Sequence, residues 1–416
     1  MNTEKTSTLS RFFLLWLAGY VFFFIFPFPL RYIPFAYEWI GIPFSRLMES
    51  LNYFVGRQLP GIENLAYDGG RGSGDTSFDY VFLITRTLLS LLLAVVLFAF
   101  RKKAGWIQKA YPAMIVYARY FVGITLIEYG VAKFLIGQFP GPSLISMEQS
   151  FGDFSPMGLA WRFFGYSDLY KAFMGITEIM AGGLLLFRRT VVVGALLSMA
   201  VVTNIVLVNF SFDVPVKILS SHLLLFSVLI LAPYIKQLFR LLVLHRPGQL
   251  SYQPRTFLSP KKKWAYLLVK FYMVVFVPVS MLVGHVLSQS YRSFDNPWEG
   301  AYEILSDGDD MVDLKSDAKW ARVILDGKRL LIERVSGDKS YYSIVEVGEN
   351  GVISLSGSAE GKDTPTLHLR EEGEEYQLAA TFGDEQFTLK AKRKMKSDYF
   401  LLSRGFHWIN EYPLNR

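Results

Sequence analysis

Arg86, Glu128, Glu178 and His222 are ionisable side chains inside stretches otherwise apolar enough to cross a bilayer. Such a group at membrane depth costs roughly 2.5–3.5 kcal/mol on insertion scales, so it needs a partner or a task. A carboxylate withdrawn from water without a counter-ion holds its proton longer, which suits it to proton handling beside an apolar carrier. With a cation next to it, the same group becomes a tie between helices. For Glu128 and Glu178 both readings stand, with Arg86 and Lys133 as the counter-ions of the second. Tyr129 precedes Lys133 by one helical turn on the same side, and Glu128 is turned about 140° from Lys133. Glu178 shares a stripe with Lys171, Gly175 and Gly182, small residues that let a neighbouring helix come close. Asn204 and Asn209 approach the end of the next stretch, where they can also serve as hydrogen bonds between helices. Asp213-Val214-Pro215 then reads as a helix start, with Lys217 and His222 in its first two turns. Lys133, Lys171 and Lys217 lie close enough to helix ends to snorkel. The candidate intramembrane polar site is therefore Arg86, Glu128, Tyr129, Lys133, Glu178, Asn204, Asn209, Asp213, Lys217 and His222, expected to converge in one chamber. No catalytic residue stands out. The histidines at 222, 245, 285, 368 and 407 have no ligand spacing, so no metal site is expected.

The segments that must carry these residues are set by length. A hydrocarbon core of about 30 Å needs roughly 20 helical residues. Stretches 12–32, 80–100, 112–136, 167–187, 191–210, 217–235 and 264–287 meet that requirement. The first is long and aromatic with no small-residue cleavage site after it, which makes it an anchor and not a signal peptide. Every second connection is basic: Lys5 and Arg11, then Arg101–Lys103 with Lys109, Arg188 with Arg189, and Lys236 through Lys263. The intervening loops carry Glu38, Glu49, Asp75, Asp79, Glu148, Asp153 and Asp168. Basic loops stay on the cytoplasmic side, so the N-terminus is expected there and the C-terminal part outside. In the long outer loop, Trp39, Ile40, Phe44, Leu47, Leu51 and Phe54 have helical spacing, predicting an interfacial helix over 36–58. The following Gly69–Thr76 imitates a phosphate loop but lacks its lysine and preceding strand. Asp75 is expected to cap the second span.

The charge balance divides the chain. Residues 1–289 hold 26 Lys/Arg and 13 Asp/Glu, a net of +13, whereas residues 290–416 hold 17 and 23, a net of −6. The basic excess belongs to membrane-flanking loops, so it is no argument for nucleic acid. After Tyr291, apolar and polar residues alternate and turns such as Asp326-Gly327 recur. Tyr376, Leu378, Ala380 and Phe382, then Phe387, Leu389 and Ala391 after Gly383-Asp384, predict a hairpin. About eight strands between Gly300 and Ser403 predict an antiparallel β-barrel or sandwich. A hollow apolar barrel would suit a carrier; one filled with Tyr, Leu and Phe would suit a structural role. The run Lys390, Lys392, Arg393, Lys394, Lys396 reads as a solvated strand end, with anionic headgroups as the other reading. The chain has no cysteine, which removes disulfides, thiolate nucleophiles and iron–sulfur ligation.

Several runs carry a family resemblance. They are Tyr129-Gly130-Val131-Ala132-Lys133-Phe134 with Gln138-Phe139-Pro140, Ser155-Pro156-Met157-Gly158-Leu159, and Leu184 through Thr190. Asn209 through Lys217 and Ser221-His222-Leu223-Leu224-Leu225 continue the pattern, as do Gly72–Thr76 and the closing Arg404–Glu411. In that order they resemble DoxX-like bacterial integral membrane proteins in their extended form. The resemblance implies a four-helix core matching the third to sixth spans, and a link to membrane thiosulfate:quinone oxidoreductases. It also implies a quinone as the ligand, an envelope redox or lipid-handling partner, and the bacterial inner membrane as the location. With no cysteine, electrons would have to pass through a bound quinone or a partner. The expected architecture is an α-helical polytopic membrane bundle of about seven transmembrane helices plus a C-terminal β-domain. Its parts are residues 1–110, N-terminal helices with the outer loop; 111–245, the DoxX-like core; 246–291, a basic linker and last helix; and 292–416, the extracytoplasmic β-domain. Two functions remain open: a quinone-linked oxidoreductase component, or a membrane-anchored β-domain that binds a lipid or an envelope protein without catalysis.

Overall fold

The computed structural model describes residues 8–33, 35–62, 65, 74–99, 107–133, 137–248, 259–290, 294, 296–305, 319–348, 350–356, 365–382 and 385–410. The glycine-rich 69–73, the basic residues 101–103 and 255, and the Gly383-Asp384 turn lie outside them. Two compact units emerge. One comprises Met1–Phe139 and Leu159–Ser288, the other Pro140–Gly158 and Gln289–Arg416.

The first unit is helical. Its elements are α1 (Thr8–Ile25), α2 (Ile42–Gly56), α3 (Ser77–Ala99), α4 (Ile107–Val131), α6 (Pro156–Tyr166), α7 (Asp168–Leu185), α8 (Val191–Ser211), α9 (Lys217–Leu231), α10 (Ile235–Leu242), α11 (Pro260–Phe271) and α12 (Val277–Ser290). The short α5 (Leu144–Met147) belongs to the second unit. Six helical segments among the described residues are long and apolar enough to span a bilayer: Leu9–Tyr32, Ser77–Ala99, Ala110–Val131, Val191–Ser211, Lys217–Leu242 and Tyr266–Gly284. These make the chain a multi-pass membrane protein. Helix α7 coincides with the expected fourth span but carries Asp168, Lys171 and Glu178, and these charges keep it below that apolar standard. The predicted interfacial helix forms over Tyr37–Gly41 and α2, with Trp39, Ile40, Leu47 and Phe54 exposed. Asp75 does not cap α3. Thr76 and Asp79 do so reciprocally, through Thr76 N–H to Asp79 Oδ2 at 2.9 Å and Asp79 N–H to Thr76 Oγ1 at 3.3 Å. The Asp75 carboxylate instead accepts the first free amides of α9, from Lys217 at 2.6 Å and Ile218 at 2.8 Å.

The second unit is a closed antiparallel barrel of eight strands in sequence order. The strands are β1 (Gly300–Ile304), β2 (Trp320–Asp326), β3 (Arg329–Arg334), β4 (Lys339–Val347), β5 (Val352–Ser356), β6 (Thr366–Glu372), β7 (Glu375–Phe382) and β8 (Glu385–Lys394). β1 pairs with β8 to close it. Alternation sends Tyr302, Val323, Leu325, Leu330, Ile332, Leu355, Leu367, Leu378 and Leu389 inward, where they form one core. The interior is therefore filled with side chains, as an eight-stranded barrel permits. Tyr302 is fully enclosed, and its hydroxyl donates to the Trp298 carbonyl at 2.9 Å.

The barrel also buries part of its outer face. Ala301, Ile324 and Leu331 point outward and are covered by Leu144 of α5 and by Tyr399. Enclosing Leu144 contributes about 1.5–3 kcal/mol. Ser143 and Ser146 cap α5, and Asp326 accepts the Ile145 amide at 3.2 Å. Directly after α5, the Glu148 carboxylate receives Arg322, Tyr399 and, at 3.0 Å, Lys394. The basic strand end is thus engaged with acids: Lys394 with Glu148, and Lys396 with Glu299 at 2.7 Å. Burial pushes the Glu148 carboxyl up, but the hydrogen bonds from Tyr399 and Lys394 and the charge of Arg322 outweigh it and hold it low. A carboxyl lowered by docking stabilises the docked state above its free value of about 4.3, and that stability is lost as pH falls through the lowered value. The protection of the Ile145 and Ser146 amides, relative to their intrinsic exchange at the same pH, will fall as the intact protein is acidified through the lowered Glu148 value. Glu148→Gln will show low protection already at neutral pH and little further acid dependence.

Candidate functional site

Helices α4 and α7 cross with almost no space between their backbones. A Cβ on Gly130 would sit 2.5 Å from the Gly175 carbonyl oxygen, and one on Gly182 would collide with the Gly123 carbonyl. Each helix repeats its glycine after seven residues, so a single face of α4 meets a single face of α7. Glu178 lies between Gly175 and Gly182 and is 2% exposed. Its carboxylate takes Lys133 Nζ at 2.8 Å. Around that ammonium stand the rings of Tyr129 and Phe139, with centroids 5.8 and 5.7 Å away. Of the two readings of Glu178, the geometry matches the counter-ion one, with Lys133 as the partner.

Glu128 turns to a different neighbour. Arg31 reaches both carboxylate oxygens, at 2.7 and 2.8 Å, and the Tyr32 hydroxyl donates to the same group. Neither Arg86 nor Lys133 pairs with it. Arg31 and Tyr32 follow α1 in a short helical turn, Leu30–Tyr32. The sequence signal for Arg31 was a lone cation closing an apolar, proline-interrupted run, which reads as an ordinary flanking charge.

A third cluster joins α1, α3 and α9. The Nδ1–H of His222 donates to the Ile218 carbonyl at 2.6 Å, since a carbonyl can only accept. In the neutral imidazole, Nε2 is then the acceptor for the Tyr20 hydroxyl at 2.7 Å. The imidazole stacks on Phe24 with a centroid separation of 3.9 Å. Arg86 lays its guanidinium over Phe82 at 4.0 Å and over the same Phe24 at 4.9 Å. Its Nε is enclosed and has no hydrogen-bond partner, and among the described residues no carboxylate pairs with it. Tyr20 and His222 both lie within electrostatic range of that charge. Neither Tyr20 nor Phe24 was distinguished beforehand, because one tyrosine and one phenylalanine among the aromatics of α1 give no spacing signal.

The other expected members lie apart. Asn209 is buried and donates to Ser220 Oγ at 3.0 Å, tying α8 to α9. Asp213 is exposed and pairs with Lys217 at 2.7 Å, so it does not cap α9. Asn204 is exposed and faces away from the bundle interior, because its place on α8 is offset from the buried Val202 and Asn209. The expected common chamber is accordingly divided into Lys133–Glu178, Arg31–Tyr32–Glu128 and Tyr20–Arg86–His222. The first two are closed ion pairs. Only the third offers unused hydrogen-bonding capacity.

No family model and no solved structure matches the chain. It is similar to "Uncharacterized protein YwoB" of Bacillus subtilis (strain 168), at 39% identity over 125 residues. That match covers 30% of this chain and 77% of YwoB.

Breaking one partner of a buried ion pair leaves an uncompensated charge and costs about 3–5 kcal/mol, whereas replacing both by apolar residues is often neutral. Lys133→Met alone will therefore lower the unfolding stability in detergent by about that much. The Lys133→Met, Glu178→Leu double variant will recover most of the loss. A double variant no better than the single one would give the carboxylate a role other than holding α4 to α7.

Proposed function

Because the chain belongs to the family of YwoB, whose name specifies no activity, we propose a function from the geometry together with the DoxX-like resemblance. The protein is a DoxX-like component of a quinone-linked oxidoreductase in the bacterial inner membrane. It binds a quinone headgroup beside Tyr20, Arg86 and His222. The observation that carries this reading is the enclosed Nε of Arg86, a charged donor without an acceptor, next to the His222–Tyr20 hydrogen bond. A quinone carbonyl accepts from a guanidinium. Reduction of a quinone to a quinol takes up two electrons and two protons. The chain has no cysteine to carry electrons, so these come from a redox partner in the envelope. Both protons come from water, and His222 would relay one of them, taking it up on Nε2 in place of the Tyr20 hydrogen bond and passing it to the carbonyl oxygen.

Topology follows from the same reading. The N-terminus is cytoplasmic and the barrel extracytoplasmic, by the distribution of basic loops. Residues 140–158 pack with the barrel, so both lie on one side of the membrane. An even number of crossings must separate them. Helices α8, α9–α10 and α11–α12 supply three, which makes α7 the fourth despite its charges. The alternative, an anchored β-domain that binds a lipid or an envelope protein, now rests on the outside of a filled barrel. There Phe406, Trp408 and Ile409 stand exposed.

Two experiments test this proposal. A short-chain quinone added to the purified protein will raise its Tm, and Arg86→Gln or His222→Ala will remove that shift while both variants still fold. A shift that survives both substitutions, or its absence from the wild type, discards the site. The cysteine-free chain allows a topology test: Ser336→Cys in the β3–β4 turn will react with an impermeant maleimide on intact spheroplasts, and Lys236→Cys will react only after lysis. The reverse pattern would invert the orientation.

A further inference from the structure

The helix that follows α9 is cut off from it by proline. Ala232–Tyr234 form a single tight turn between α9 and α10, and Pro233 has no amide with which to continue the α9 ladder. Residues 217–234 rise about 27 Å at about 1.5 Å per residue, which already brings Tyr234 to the edge of the hydrocarbon. Helix α10 therefore starts at headgroup level, and none of its residues is buried.

At about 100° per residue, Ile235, Phe239 and Leu242 share one face of α10, and Lys236 and Arg240 form the adjoining one. The three apolar residues are exposed. Leu238, on their other flank, packs against the core of the helical unit. The chain then turns back on itself. His245 adopts a left-handed φ of 47°, and the Arg246 amide donates to the Arg240 carbonyl at 2.9 Å. That bond keeps Arg246 at the end of α10, next to Arg240. Val243 and Leu244 in this turn are exposed as well.

No acid accompanies these cations. Residues 214–294 contain no Asp or Glu, and among the described residues no carboxylate pairs with Lys236, Arg240 or Arg246. An apolar strip bordered by cations alone is complementary to a surface that is apolar within and anionic at its rim. A bilayer containing anionic phospholipid is such a surface. We propose that α10 lies in the headgroup layer of the leaflet on the side of the basic loops. There Ile235, Phe239 and Leu242 press against acyl chains, and Lys236, Arg240 and Arg246 meet lipid phosphates. The α9 segment thus ends in a clasp for anionic lipid and not in water.

The cysteine-free chain allows a direct test. Leu242→Cys in the whole protein carries an environment-sensitive fluorophore, in vesicles of phosphatidylcholine alone or with an equal part of phosphatidylglycerol. In the mixed vesicles, lipids bearing a nitroxide near the headgroup end of the acyl chain will quench the label. Neutral acrylamide in the water will quench it less there than in phosphatidylcholine alone. Lys236→Gln in the same background will raise the ratio of water-exposed to membrane-seated label about fivefold, the scale of one cation near an anionic surface. Lys236→Arg will leave that ratio in place. Ile235→Cys, on the same face, gives these readings should Leu242→Cys fail to fold. A label equally open to acrylamide in both vesicles overturns the proposal, as does a ratio unmoved by Lys236→Gln. Protection from acrylamide without nitroxide quenching overturns it too, because a protein surface then covers the face.

Discussion

A bilayer offers a buried charge no water, and the architecture of the helical unit follows from where each charge finds its substitute. At the centre is the Lys133–Glu178 pair at 2.8 Å, both partners almost wholly enclosed. Such a pair survives at that depth only if the helices bearing it come close enough to exclude everything else. Gly123 and Gly130 on one side and Gly175 and Gly182 on the other make that approach available, because a side chain at either Gly130 or Gly182 would meet backbone oxygen. The glycines and the ion pair therefore depend on each other. Packing without the pair would leave a carboxylate stranded, and the pair without the packing would admit lipid.

The same rule separates spent charges from available ones. Glu128 is saturated by Arg31 and Tyr32, and Asp75 by two amides at the start of α9. These acids tie elements that are remote in sequence: α4 to the end of α1, and the approach to α3 to the start of α9. Among the described residues no carboxylate pairs with Arg86 or Arg119. Each rests on an aromatic face instead, which lowers the cost of a cation without cancelling its charge. The Nε of each is enclosed without a hydrogen-bond partner, so the two arginines retain capacity that the ion-paired residues have lost.

Much of the fold was legible in the residues. Spans of about 20 apolar residues, the amphipathic run before Gln58 and the period-two pattern after Gly300 each correspond to an observed element. The stripe of Gly175, Glu178 and Gly182 indicated a close, buried crossing, and α4 supplies it. Partner identity was not legible. Glu128 could have met Arg86, Lys133 or Arg31, and the choice depends on the path the chain takes after α1, which no local pattern encodes. Asp75 and Asp213 each stand just before a helix, and sequence proximity assigned both caps wrongly. Asn204 looked equivalent to Asn209 until helical phase set them on different faces. One overlooked signal was present: Val323-Ile324-Leu325 and Leu330-Leu331-Ile332 are unbroken apolar runs, not alternating ones. Strands of that kind are buried on both faces, which required a cover such as Leu144.

That cover has a consequence for the β-domain. Residues 140–158 bury Leu144 against β1–β3 and anchor Glu148 with three donors. The chain reaches the barrel at one end through α12 and again through this segment, which departs after Phe139 and returns before Leu159. Glu148 is the electrostatic anchor of this cover. Its Arg322, Lys394 and Tyr399 partners come from β2, from β8 and from just beyond β8, and so span the seam where the barrel closes.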